Sequence, residues 1–149
     1  MSERGATPLF IDTGGLYAVF DEDDAEHARA QAVFDAIRAG ELAYRPIYMS
    51  AHTLSELVTL ILARTGTAVA AEVLQTVRTS PNVTVLHPDA VAFDAACEQF
   101  EQYDDHDISL VDHLTGVLAD ERNVEHVFAF DSDFATLGLT RVPVDTGGP

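Results

Sequence analysis

Short apolar runs, each followed by a stretch of helical periodicity, constrain this chain more than any other feature. Leu9-Phe10-Ile11, Ile47-Tyr48-Met49, Val83-Thr84-Val85-Leu86 and Val127-Phe128-Ala129-Phe130 read as strands, with a last one near Arg141 to Val144. The fourth run shows no polar alternation, as expected of a strand covered on both faces. Between the runs the spacing predicts helices over Gly14 to Phe20, Ala25 to Arg38, Thr53 to Arg64, Thr67 to Thr79, Asp89 to Tyr103, Ser109 to Arg122 and Ser132 to Leu137. Gly40 and Gly66 stand where two of them stop. Strands joined through helices require right-handed crossovers. The expected fold is therefore α/β, a three-layer sandwich whose central parallel sheet of four to five strands is flanked by helices. The length of 149 residues suits one domain, with an ordered core from about residue 8 to 145 and loose ends at Met1 to Thr7 and Asp145 to Pro149.

In such sheets ligands gather outside the carboxyl ends of the strands. Asp12 follows the first run directly and Asp131 follows the fourth. Glu56 falls within one turn of the entrance to the helix after strand two, and Asp112 holds the matching place in the helix before strand four. Each acid has a local explanation, since Asp is a favoured N-cap and both Thr53-Leu54-Ser55-Glu56 and Ser109-Leu110-Val111-Asp112 fit a capping box. Their joint placement at one end of one sheet needs more than capping. On the Asp112 helix, Thr115, Gly116 and Ala119 continue a stripe of small residues, so another element can approach and enclose that acid.

Two unit charges 4 Å apart repel by about 4 kcal/mol at an effective dielectric of about 20. Four clustered carboxylates must therefore take up protons or hold a cation. The chain contains no lysine, and its eight basic residues are all arginines. A divalent ion is the natural counter-charge, and an all-oxygen site favours Mg2+ or Mn2+ over zinc. Such an ion polarises a phosphoryl oxygen and acidifies a bound water, which is the chemistry of phosphodiester hydrolysis.

Around these acids the sequence resembles the PIN-domain family, especially its VapC toxins. The resemblance lies in Phe10-Ile11-Asp12-Thr13-Gly14-Gly15-Leu16-Tyr17-Ala18, Leu54-Ser55-Glu56-Leu57, Asp107-Ile108-Ser109-Leu110-Val111-Asp112 and Phe130-Asp131-Ser132-Asp133-Phe134, in order from about Leu9 to Val144. It implies a Mg2+- or Mn2+-dependent endoribonuclease cutting single-stranded or structured RNA, a homodimer, and a small antitoxin partner. Carried over by position, Asp12, Asp112 and Asp131 would be metal ligands, and Glu56 would serve a second metal or the attacking water. Thr13 would orient the first carboxylate or cap the next helix. In the fourth motif Asp131 is preferred to Asp133, which reads as an outer ligand or a cap.

A net charge of −17, from 25 acids against 8 bases, points to a protein built for a salt-rich cytoplasm, where self-repulsion is screened over about 3 Å at 1 M salt. The scattered Arg29, Arg38, Arg45, Arg64, Arg78 and Arg122 make no basic patch for RNA. The lone Cys97 excludes an internal disulfide or a thiolate zinc site within this chain, and no run is long enough to span a membrane. The six histidines lack paired ligand spacing and read as surface or locally bonded, and the acidic runs Asp21 to Asp24 and Asp104 to Asp107 as solvated loops. The apolar stretch Leu57 to Leu62 is wide enough for core plus a dimer contact. Other readings stay open: a PIN-like binding module whose acids only cap helices, or a nuclease for single-stranded DNA. Receiver domains and aspartate-nucleophile phosphatases rely on a lysine that is missing here.

Overall fold

The computed structural model describes residues 5–103 and 105–148. In chain order the elements are β1 (Thr7–Ile11), α1 (Thr13–Phe20), α2 (His27–Arg38), β2 (Tyr44–Ser50), α3 (Ala51–Thr65), α4 (Thr67–Thr79) and β3 (Val83–Leu86). Then come α5 (Ala90–Gln102), α6 (Leu110–Glu121), β4 (His126–Ala129), α7 (Asp133–Thr136) and β5 (Thr140–Pro143). The strands form one sheet in the order β3-β2-β1-β4-β5, with every neighbouring pair parallel. The chain winds outward from β1 to β3 and then crosses back to place β4 on the other side of β1. Strand order reverses between β1 and β4, which is where sheets of this kind place a crevice at the carboxyl ends of the strands.

Side chains alternate across the sheet and divide the core into two layers. Leu9, Ile11 and Phe128 enter one with Leu16, Val33, Leu57 and Val73, from α1 to α4. Phe10, Val127 and Ala129 enter the other with Ala96, Leu114, Leu118 and Phe134, from α5 to α7. Helices therefore cover both faces, which explains why the fourth run carries no polar position. α1 crosses β4 at very short range: a Cβ on Gly15 would collide with the Phe128 carbonyl, so only glycine fits there. The small stripe on α6 performs as its composition suggests. Thr115 and Ala119 are buried and Gly116 faces Leu137 beside α7.

Most element ends differ from the sequence reading by one to three residues, and three of these differences have a local cause. β1 starts at Thr7, whose N–H donates to the Ala43 carbonyl at 2.8 Å, so Thr7 belongs to the sheet and not to a loose end; Met1 to Arg4 lie outside the described residues, as do Asp104 and Pro149. β2 runs through Arg45 and Pro46 because register slips there, from Thr7 opposite Tyr44 to Leu9 opposite Ile47. The extra residue is a bulge, where a proline without an N–H is tolerated. α3 is capped by Ser50 rather than entered at Thr53: the Ser50 hydroxyl accepts from the Thr53 N–H at 3.0 Å. Glu56 is consequently in the second turn of α3, one turn deeper than the Thr53 capping box implied.

Candidate metal centre

Asp12 links β1 to α1. Its carboxylate caps that helix, accepting from the Gly14 N–H at 3.0 Å, while its own N–H donates to the Phe128 carbonyl at 3.1 Å and ties it to β4. The residue is only 6% exposed. Burial first, then the charges of Asp112 and Glu56, raise its pKa to about 7 against the pull of the Gly14 and Thr13 N–H groups. Capping and membership of an acidic group are thus combined in one side chain.

Asp112 is the third residue of α6, where Ser109 caps the helix and its hydroxyl accepts from the Asp112 N–H at 3.1 Å. The side chain is half-buried. Burial lifts its pKa to about 6, the Ser109 hydroxyl opposes this, and Asp131, Glu56 and Asp133 reinforce it. Asp131 lies exposed two residues beyond β4, and its Oδ1 accepts from the Asp133 N–H at 2.9 Å. That turn brings Asp133 back toward the crevice, where burial and Asp131 raise its pKa.

One oxygen from each of Asp112, Asp131 and Asp133 falls within 4.8 Å of the other two. Asp12 stands outside this trio and, with Glu56, faces Asp112 from the α1 and α3 side, close enough for mutual repulsion. The structure therefore brings Asp112 and Asp131 together with Asp133, while Asp12 and Glu56 lie near enough to Asp112 to act on its charge. It also seats Asp133 beside Asp131 rather than forcing a choice between them. The Asp-Ser-Asp spacing, which lets the first side chain bond the third N–H, was the available signal.

Thr13 does not cap α1, and it bears on the Asp12 carboxylate through its N–H rather than its hydroxyl. Asp12 is already the cap, so the buried Thr13 hydroxyl turns to the Thr53 carbonyl at 3.5 Å, joining a hydroxyl chain in which Ser50 donates to Thr53 at 3.1 Å. Among the histidines, His113 is not a surface residue: it is fully buried, Nδ1 lies 3.3 Å from Gln99 Oε1, and the edges of Tyr103 and Phe100 enclose it. Burial holds its pKa below the usual value. In the acidic loop beyond α5, Asp105, His106 and Asp107 are all exposed, as expected of a solvated loop; Asp104 lies outside the described residues.

The PIN-domain profile matches residues 9–138, which include Asp12, Glu56, Asp112, Asp131 and Asp133. The chain belongs to the PIN-domain family. This PIN domain is 28% identical over 135 residues to the 23S rRNA-specific endonuclease VapC20 of Mycobacterium tuberculosis, covering 90% of this chain and 97% of the relative. It superposes on the crystal structure of that VapC20, described as a sarcin-ricin loop cleaving toxin, with a TM-score of 0.79 and 27% identity over 95% of this chain and 99% of the other. The fold also matches VapBC-1 from nontypeable Haemophilus influenzae, with a TM-score of 0.63 and 13% identity over 91% of this chain and 96% of the other.

Proposed function

We propose that this PIN domain is a divalent-cation-dependent endoribonuclease, the toxin of a VapBC-type pair. The observation that carries the reading is the trio of Asp112, Asp131 and Asp133 within 4.8 Å, backed by buried Asp12 and by Glu56 where strand order reverses. The donor set fits a hard cation: every donor is a carboxylate oxygen, and the raised pKa values of Asp12 and Asp112 reflect repulsion and burial awaiting a counter-charge. Mg2+ or Mn2+ meets these demands. A bound ion of this kind polarises a phosphoryl oxygen and lowers the pKa of an attacking water.

The chain's own residues do the rest. Asp112 is the shared ligand between Asp131 on one side and Asp12 on the other, and Asp133 holds Asp131 through its N–H. Glu56 orients the attacking water or serves a second ion. The substrate class follows from VapC20, whose name specifies 23S rRNA, so structured ribosomal RNA is the substrate to assay first. The partner is a small antitoxin. Leu60, Leu62 and Val69, each more than 40% exposed on α3 and α4, suit a homodimer contact. The whole chain acts as one domain in the cytoplasm, and no described helix is long and apolar enough to cross a membrane.

The deciding assay offers labelled ribosomal RNA and single-stranded DNA, each with Mn2+ in molar salt. RNA cleavage that falls about a hundredfold or more in Asp112→Asn supports the reading. Intact RNA with the unchanged chain favours instead a binding module, in which the caps formed by Asp12 and Ser109 are purely structural.

A further inference from the structure

Two of only eight arginines in this acidic chain converge on Phe130, the residue immediately before Asp131. The Arg29 guanidinium lies over the Phe130 ring, 5.7 Å from its centroid. Arg141, on β5, donates from one terminal nitrogen to the Phe130 carbonyl at 3.3 Å. Arg141 is itself immobilised by Asp145: its Nε and other terminal nitrogen donate to the two carboxylate oxygens at 3.0 and 2.9 Å, and its backbone N–H donates to the same carboxylate at 2.9 Å. The pair is bidentate, with side chains 16% and 34% exposed, and its two parallel bonds hold the guanidinium in one orientation. Asp145 is therefore no part of a loose tail.

The setting gives this clamp a purpose. Asp131 follows a strand that ends at Ala129, and it is exposed: its side chain accepts from the Asp133 N–H at 2.9 Å and its carbonyl from the Phe134 N–H at 3.4 Å, both bonds inside the turn itself. The bond from Arg141 to the Phe130 carbonyl ties the residue from which that turn departs to β5. We propose that Arg141, held by Asp145, is a positioning residue: through the Phe130 carbonyl it fixes the turn that carries Asp131 into the acidic crevice. This deepens the metal-site reading and rests on it. Arg141 touches no reacting atom: it acts through the Phe130 carbonyl, and its charge also reaches Asp131.

Electrostatics makes the idea testable, because a bystander and a positioning residue predict opposite signs. A cation beside an acidic pocket repels Mn2+, so a bystander's removal tightens Mn2+ binding. Loss of a positioning residue loosens it, as loss of groups that orient metal ligands does, by about tenfold or more. Calorimetric titration of the whole chain with Mn2+ in molar salt compares the unchanged protein, Arg141→Gln, Asp131→Asn and the double variant. The expected result is about tenfold weaker binding in Arg141→Gln and no further loss when it is added to Asp131→Asn, since both act through one ligand. Arg141→Lys, which keeps the charge without the fork, should recover only part of the loss. Far-ultraviolet circular dichroism checks that each variant is folded; should Arg141→Gln unfold, Asp145→Asn and Arg141→Lys, compared in the Asp131→Asn background, carry the same cycle. Unchanged or tighter Mn2+ binding in the clamp variants, or a loss that adds fully to that of Asp131→Asn, overturns the clamp alone. No Mn2+ binding by the unchanged chain overturns the site and the clamp together.

Discussion

Asp12 holds two duties that usually compete. As a cap it favours ionisation, because the Gly14 N–H points at it, yet burial and the neighbouring Asp112 favour the neutral form and prevail. Its carboxyl titrates near 3.8 in the unfolded chain and at about 7 in the folded, cation-free protein. Folding therefore takes up a proton between those values, and the stability contributed by the neutral form is complete below about pH 4 and lost as pH rises through 7. Asp12→Asn keeps an oxygen for the cap and removes the charge. In cation-free protein it should be more stable than the unchanged chain by about 2–4 kcal/mol near pH 8, the gap closing below about pH 4, as read from urea unfolding at the two pH values. The same variant should lose Mn2+ affinity. For the unchanged chain, apparent Mn2+ affinity should rise from about pH 5.5 to 8 as Asp112 and Asp12 ionise, with protons released to the buffer in calorimetry.

At the scale of elements, the apolar runs and helical spacing made the order of strands and helices legible, because burial on both sheet faces leaves a plain pattern. Less legible was where each element begins. Ser50 and Thr53 are both good caps, and Ser50 takes the role because it is the fully buried last residue of β2 and can also bond Thr53. Pro46 reads as the edge of a strand, but a bulge carries β2 across it. Gly15 illustrates what local pattern conceals. It resembles an ordinary helix residue, yet it lets α1 lie on the β4 backbone at Phe128 and so sets Asp12 relative to Asp131. Gly15→Ala should destabilise the cation-free protein by about 1–3 kcal/mol in denaturant unfolding and weaken Mn2+ binding as well. Loss of stability with unchanged affinity would separate this crossing from the site.

For the whole molecule, the convergence of Asp12, Glu56, Asp112 and Asp131 was legible because parallel sheets concentrate chemistry at one end. The full membership was not. Asp133 enters through a turn two residues long, and Arg141 and Asp145 meet across β5 in a pair that spacing alone does not announce as part of this crevice. A net charge of −17 adds a global condition: self-repulsion acts over about 10 Å at 0.1 M salt and about 3 Å at 1 M. The thermal midpoint should therefore rise steeply with KCl, with unfolding below about 0.5 M, and full stability in dilute buffer would contradict salt adaptation.

The central claim is that carboxylates brought from four separate parts of the chain share a divalent cation. Anomalous scattering from a crystal soaked in Mn2+ tests it most directly. The account predicts a peak in contact with Asp112 and with Asp131 or Asp12, absent from Asp112→Asn crystals. A crevice without a peak, while Mn2+ is bound elsewhere on the molecule, would contradict it.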